Sequence, residues 1–254
     1  MASNKYYETD RAVSEYLLFH YGMTAQMLPP VLVESGALNF PVRCVTECLD
    51  ARRLPVKARA LDLGCSVGRA SFELARHCGE VIGIDYSKRF IITAGHLRKN
   101  GSFLFGYVEE GELTQSVTAV VPKEIRRERV WFENGDATNL RRDLGTFDVV
   151  LVANLIDRLR QPRKCLARLP RLLKSGGQLI ITSPYTWMSE YTPRKNWLGG
   201  FVRNGRRVKT FDILKEILSP NFQFVRRRDL PFLIREHARK FQLGVAEASM
   251  WQRK

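Results

Sequence analysis

The sequence predicts a doubly wound α/β fold. It consists of a Rossmann-like, mostly parallel seven-stranded sheet, with N-terminal helices ahead of it and a loop insertion on the ligand side. Three observations predict it. The run Ala60-Leu-Asp-Leu-Gly-Cys-Ser-Val-Gly-Arg-Ala70 is a short apolar strand driving into a glycine turn, with a helical pattern behind it. A second apolar run, Val81-Ile-Gly-Ile-Asp85, ends in a carboxylate at about the 20-residue spacing of a strand-helix-strand unit. Strands and helices then alternate to a terminal antiparallel hairpin. With 254 residues, 44% of them hydrophobic and 26% charged, one large domain over 1–254 is expected. Within it, 1–55 forms a helical cap and 184–210 an aromatic loop.

The elements follow in order. Tyr7, Val13, Tyr16, Leu17, His20 and Tyr21 recur at helical spacing between Tyr6 and Leu28, with Gly22 as a stop. A second helix is expected from Asn39 to Arg53, closed by Pro55. Strand one is Ala60 to Leu63, its helix runs from Gly68 to Cys78, and strand two is Val81 to Ile84. A helix from Ser87 to Lys99 ends at Asn100-Gly101. Gly101 to Glu128 exceeds a minimal connection and holds the β-rich run Ser116 to Val121, so an extra hairpin or helix is expected there. Strand three is Arg129 to Glu133, and strand four, Phe147 to Val152, is nearly all apolar as a central parallel strand should be. A helix over Gln161 to Lys174 precedes strand five, Gln178 to Thr182. A long loop from Pro184 to Gly205 follows. The pattern closes with a helix at Phe211 to Leu218, strand six at Phe222 to Arg228, and a last strand within Val245 to Arg253.

The turn chemistry narrows the ligand. A dinucleotide site wants Gly-x-Gly-x-x-Gly, whereas this turn is Asp62-x-Gly64-x-x-x-Gly68, with no third glycine and an acid at its start. That suits the methionine end of S-adenosyl-L-methionine, which carries an ammonium and no phosphate. Gly64 and Gly68 are expected to let the backbone approach the ligand. Asp85 is placed to accept from both ribose hydroxyls, with Tyr86 against the adenine face. Asp136, in Gly135-Asp-Ala137, is expected to accept from the adenine amino group, with Ala137 beside it; a helix N-cap is the plainer role for that acid. Arg69 and His20 are candidates for the methionyl carboxylate. Asn154, at the end of strand four, sits where the sulfonium methyl should point, so it is expected to touch both cofactor and acceptor; the plainer role is a loop residue satisfying backbone groups. In the loop after strand five, Tyr185, Trp187, Tyr191 and Trp197 offer flat faces with polar handles to a small planar acceptor, or form a satellite core.

Other function classes are set aside on composition. The net charge is +15, which points toward nucleic acid only if the charge is organised. The clusters at Arg52-Arg53, Arg126 to Arg129, Arg141-Arg142, Arg203 to Lys209 and Arg226 to Arg228 lack an aromatic-interleaved stripe and read mostly as solvated surface. Cys44, Cys48, Cys65, Cys78 and Cys165 form no disulfide framework or zinc spacing, so packing roles and no metal are expected. No apolar run approaches a membrane span, and the N-terminus lacks a signal core, which makes the cytoplasm the expected compartment.

More specific runs lie outside the cofactor turn: Tyr6-Tyr-Glu-Thr-Asp10, Glu15-Tyr-Leu-Leu-Phe-His-Tyr-Gly22, Ala153-Asn-Leu-Ile-Asp-Arg-Leu159, Ser183-Pro-Tyr-Thr-Trp187, Tyr191-Thr-Pro193, Trp197-Leu-Gly-Gly200 and Pro231-Phe-Leu-Ile-Arg235. Together they make the chain resemble, from Tyr7 to Trp251, the ovothiol-biosynthesis methyltransferases, class I enzymes that N-methylate the imidazole of a thiohistidine. The resemblance implies S-adenosyl-L-methionine as cofactor and a small amino acid acceptor, with no nucleic acid and no membrane. In that family the domain is often joined to sulfur-inserting domains. This chain has no room for them, so a stand-alone enzyme supplied by a separate sulfur- or selenium-inserting enzyme is expected. Asn154 and Tyr185 are the catalytic candidates, and Tyr7, Tyr16, His20, Tyr185, Trp187, Tyr191 and Arg235 are expected around the acceptor. Arg235, Tyr6 and Tyr7 are the candidates for its carboxylate, and a Glu or Asp for its ammonium. A methyltransferase acting on RNA or protein, supported by the +15 charge and Arg203 to Lys209, is the alternative. A non-catalytic binding module is opposed by the intact set Asp62, Gly64, Gly68, Asp85 and Asp136.

Overall fold

The computed structural model describes residues 6–27 and 36–254. The expected end of the first helical segment at Leu28, and parts of the proposed 1–55 cap, lie outside the described residues. The helices are α1 (Asp10–Tyr21), a single turn α2 (Thr24–Met27), α3 (Phe40–Thr46), α4 (Arg69–Leu74), α5 (Lys88–Asn100), α6 (Pro162–Leu172) and α7 (Thr210–Leu218). The strands are β1 (Arg59–Leu63), β2 (Glu80–Asp85), β3 (Ser102–Glu110), β4 (Leu113–Val120), β5 (Val130–Asn134), β6 (Phe147–Ala153), β7 (Leu173–Ser183), β8 (Phe201–Arg203), β9 (Arg206–Val208), β10 (Phe222–His237) and β11 (Lys240–Arg253).

Seven of the strands make one sheet, in the order β10-β11-β7-β6-β1-β2-β5. The pairs from β7 to β5 are parallel, while β11 runs antiparallel to β7 and to β10. β1 and β6 lie in the middle, covered on both faces, which is why Leu61, Leu63 and Val149 to Val152 are fully buried. One face packs α3, α4 and α1, and the other packs α6 and α7. Helix starts follow their caps: Thr9 accepts from Ala12 at α1, Ser87 accepts from Phe90 at α5, and Gly101 closes α5 in the left-handed region.

Two elements differ from the sequence expectation. The helix expected over Asn39 to Arg53 is only α3 plus a 3-10 turn at Ala51–Arg53, because Asp50 caps that turn and breaks the run. Strand six is not a short strand. β10 and β11 form a ribbon in which only Glu247–Gln252 pairs with β7; the remainder runs past the sheet. The insertion after α5 is the hairpin β3–β4, and the two ribbons meet where Ala238 N donates to Glu109 O at 3.1 Å. Between them lies α1, packed against β10, β3 and β4.

The basic clusters are mostly exposed, as expected, and several of their arginines also bond to the protein. Arg127 donates to the carbonyls of Leu97 and Arg98 at the end of α5, Arg129 reaches those of Ala75 and Cys78, and Arg141 grips Glu133. Arg226 donates to Glu47 O and Arg228 pairs with Glu47. All five cysteines are buried and free, as packing residues would be. Among the described residues no helix is long and apolar enough to cross a membrane.

Trp251 anchors the far end of the sheet. It is 1% exposed, lies 5.1 Å from the Phe224 ring, and donates from Nε1 to Ser249 Oγ at 3.0 Å. Trp251→Ala is expected to lower the unfolding free energy by about 3–5 kcal/mol. Urea unfolding checks this as a shift in midpoint at unchanged slope.

Candidate active site

The turn after β1 is pinned to the end of β2. The Ile84 carbonyl accepts from Gly64 N at 2.8 Å and from Cys65 N at 3.2 Å. Three of the five loop residues are left-handed: Gly64 (φ 76), Ser66 (φ 52) and Gly68 (φ 86). A Cβ at Gly68 would stand 2.5 Å from Phe132 Cζ, and one at Gly64 would stand 3.0 Å from Leu155 Cδ1. Both positions therefore require glycine for backbone angle and for internal packing.

The loop presents Ser66 N to Asp85. Asp85 Oδ2 accepts that amide and Oδ1 accepts Ser87 N, both at 2.9 Å. Burial raises the Asp85 pKa, and these two amides oppose the rise. A carboxylate has about four acceptor positions, so each oxygen retains one for a further hydroxyl. Asp62 lies below, 1% exposed, accepting from Ser71 Oγ at 2.6 Å; burial pushes it up to about 7. Tyr86 is 60% exposed, with its ring open to solvent beside Asp85. Asp136 accepts from both the amide and the hydroxyl of Thr138 through Oδ1, closing a turn with no helix behind it, and Ala137 is buried beside it.

α1 closes one side. Tyr21 donates to Val67 O at 3.0 Å. His20 is buried, and desolvation, aided by the charge of Arg69, pushes it down to about 3, so it is neutral at physiological pH. Arg69 itself pairs with Glu73 at 2.9 Å. His20 Nδ1 and Ser66 Oγ are buried with no hydrogen-bond partner among the described residues. Two such orphans flanking a left-handed loop are what a bound polar ligand would satisfy.

The other side is built from the ends of β6 and β7. Asn154 is left-handed (φ 48) and donates its amide to Thr182 O at 2.9 Å, and its Oδ1 accepts from Thr182 Oγ1 at 2.9 Å. Tyr185, also left-handed (φ 54), donates from its hydroxyl to Glu247 Oε1 at 2.8 Å. Buried Asp157 accepts from Ser183 Oγ, Thr186 N and Arg158 Nη1, fixing both loops. Tyr7, Tyr16 and Tyr191 come together above. The Tyr7–Tyr16 ring centroids are 5.9 Å apart and Tyr7–Tyr191 6.4 Å, and the Tyr7 hydroxyl interacts with the other two.

Two expected acceptor contacts are corrected. Trp187 is 9% exposed, stacks on Trp197 at 6.3 Å and donates from Nε1 to Thr210 Oγ1 at 2.9 Å, so it belongs to the satellite core. Arg235 donates to the Gln26 carbonyl and lies 5.0 Å over the Tyr107 ring, in the joint between the ribbons. Asp157, Arg158, Ser66, Tyr21 and Glu247 were missed. The first two stand inside the run Ala153 to Leu159 singled out above, where a strand end was the available signal.

Residues 61–181 match a family model described as a methyltransferase domain. The matched stretch runs from β1 to β7. Curated relatives include a demethylmenaquinone methyltransferase of Clavibacter sepedonicus, 29% identical over 48% of this chain and 40% of that protein. A ubiquinone biosynthesis O-methyltransferase of Xanthomonas axonopodis pv. citri is 28% identical over 58% and 50%. The chain spans about half the length, or less, of the curated relatives it matches. Among solved structures, the [4+2]-cyclase SpnF superposes with a TM-score of 0.58 at 15% identity, covering 98% and 95% of the two chains. A SAM-dependent methyltransferase from Methanosarcina mazei gives 0.51 at 19% identity, over 80% and 95%. These likenesses show the fold; that one of them is titled a cyclase shows how little the fold says about the reaction.

The cofactor of such a domain is S-adenosyl-L-methionine, and the residues present fit it. Asp85 has the lone pairs a ribose needs, and the two orphaned polar atoms flank the loop that would face the methionine end. Asp85→Ala should raise its dissociation constant at least tenfold by calorimetry, through loss of charge-assisted hydrogen bonds. Trp187→Ala should lower the unfolding free energy by about 3 kcal/mol in urea while leaving cofactor affinity within twofold, as a packing residue requires.

Proposed function

We propose that the methyltransferase domain transfers a methyl group to an imidazole ring nitrogen of 5-thiohistidine or its selenium analogue. The reading rests on the motif resemblance above, and the observation that carries it is the Tyr185–Glu247 pair beside Asn154. Because the Tyr185 hydroxyl proton is engaged on Glu247, its oxygen is left as an acceptor. An imidazole donating its N–H to that oxygen turns its other nitrogen, with the lone pair, toward the methyl donor. The Asn154 amide nitrogen, with Oδ1 held by Thr182, can steady the ring from the next strand end.

S-adenosyl-L-methionine, when bound, supplies an electrophilic methyl group on sulfonium. Asp85 would hold the ribose hydroxyls, and Arg69, His20 and the Ser66 hydroxyl would meet the methionyl end. A neutral imidazole is nucleophilic near pH 7, so alignment and exclusion of water supply most of the rate, and a strong general base is not needed. Burial pushes the Tyr7 phenol up and holds those of Tyr16 and Tyr191 at about 12, so all three stay neutral donors.

A second reading, an RNA-modifying enzyme, is favoured by one observation: Arg203, Arg206, Arg207 and Lys209 are all exposed on the β8–β9 hairpin. Mass spectrometry of purified protein with S-adenosyl-L-methionine and 5-thiohistidine tests the proposal, with histidine and demethylmenaquinone as control acceptors. One methyl on a ring nitrogen of thiohistidine is the expected outcome. Methylation of demethylmenaquinone alone, or RNA binding that falls steeply with salt, overturns it.

A further inference from the structure

Arg158 is the cation of the acceptor side, and its hydrogen bonding is lopsided. Its bonds to Thr186 O (2.9 Å), to Asp157 Oδ2 (3.2 Å) and to Asp157 O (3.5 Å) all leave from Nη1. Among the described residues no acceptor is bonded to Nε or Nη2. The guanidinium lies 4.8 Å over the Tyr191 ring, which fixes its plane and covers one face. Its charge acts on the hydroxyls of Tyr7, Tyr16 and Tyr191 together, so the guanidinium lies near a cluster of three phenols. Its side chain is 27% exposed, while Asp157, which steadies it, is 1% exposed and already accepts from Ser183 and Thr186.

A guanidinium held through one nitrogen, with two parallel N–H groups left over, matches a planar two-oxygen anion. Neutral phenols alongside add donors and no competing charge. Arg235, the other arginine expected to take this part, is engaged at the ribbon joint. The geometry points to Arg158 as the residue that binds the acceptor's α-carboxylate, through Nε and Nη2, with the Tyr7–Tyr16–Tyr191 hydroxyls around it. This rests on the reading of the acceptor as an amino acid. It makes substrate selection a matter of the amino acid end as well as the ring, so a decarboxylated acceptor should be discriminated against.

The test compares wild type, Arg158→Gln and Arg158→Lys on 5-thiohistidine and on 5-thiohistamine, which lacks the carboxylate, with cofactor affinity measured by calorimetry. Arg158→Gln should raise KM for thiohistidine about 30-fold, leave kcat within a few fold, and leave cofactor affinity unchanged. The wild-type preference for thiohistidine over thiohistamine should vanish in that variant. Arg158→Lys, which keeps the charge but loses the fork, should fall between, and it answers the same question if Arg158→Gln does not fold. Equal losses on both acceptors would place the anion at the chalcogen instead and overturn the inference, as would a matching loss of cofactor affinity. If the wild type methylates no thiohistidine, the substrate reading falls by itself. The carboxylate claim is then read by calorimetry of L-histidine against histamine on protein loaded with S-adenosylhomocysteine. Tighter L-histidine binding that Arg158→Gln abolishes sustains it, and equal or unaltered affinities overturn it.

Discussion

One main-chain oxygen organises this site. The Ile84 carbonyl, where β1 and β2 part, receives the amides of both Gly64 and Cys65. That double bond of the loop to its neighbouring strand forces the chain through left-handed angles and turns the Ser66 amide onto Asp85. It also leaves the Val67 carbonyl free to accept from Tyr21, which draws α1 over the loop. Once α1 is in place, Tyr16 stands above Asp85, Tyr7 follows at its start, and the phenols meet Arg158 from the opposite strand ends. Cofactor side and acceptor side are thus connected through hydrogen bonds that begin at a single acceptor.

The sheet was legible because burial on both faces writes itself as unbroken apolar runs, as in Phe147 to Val152. Asp85 was legible because a strand end is the only place such a unit can present an acid. The ribbon β10–β11 was legible as a terminal antiparallel hairpin, but its length was not. Within the sheet β10 carries Arg226 to Arg228, and beyond it β10 admits Pro231, so it lacks the signature of a core strand; β10 tolerates proline because it lies at the sheet edge. Trp187 and Tyr185 share a motif and part ways in space. A pattern of aromatics among prolines does not say which ring faces inward, and only the Trp187 bond to Thr210 decides it. Arg158 was hidden for a similar reason, since an arginine next to an acid looks like any surface pair until the tyrosines from α1 arrive.

The charge excess has a related explanation. Several arginines end on main-chain carbonyls: Arg127 at the end of α5, Arg129 after α4, Arg226 after α3, and Arg253 at Pro170 and Asn221. A guanidinium serves several carbonyls at once, so it adds to the closing of a helix end, as Arg127 does beside Gly101 on α5. Part of the +15 is therefore the means by which short helices are finished, and the remainder is concentrated on exposed elements such as the β8–β9 hairpin.

The meeting of the two ribbons, through Ala238 and Glu109, has a consequence for how the molecule is assembled. It surrounds α1 with strands drawn from the middle and the end of the chain. α1 is synthesised long before the last hairpin, yet its resting place does not exist until that hairpin has been made. Its contacts are among the most distant in sequence, and such contacts form late because the loop they close is long. α1 is thus seated late, and Tyr16, which it carries, completes the site only then.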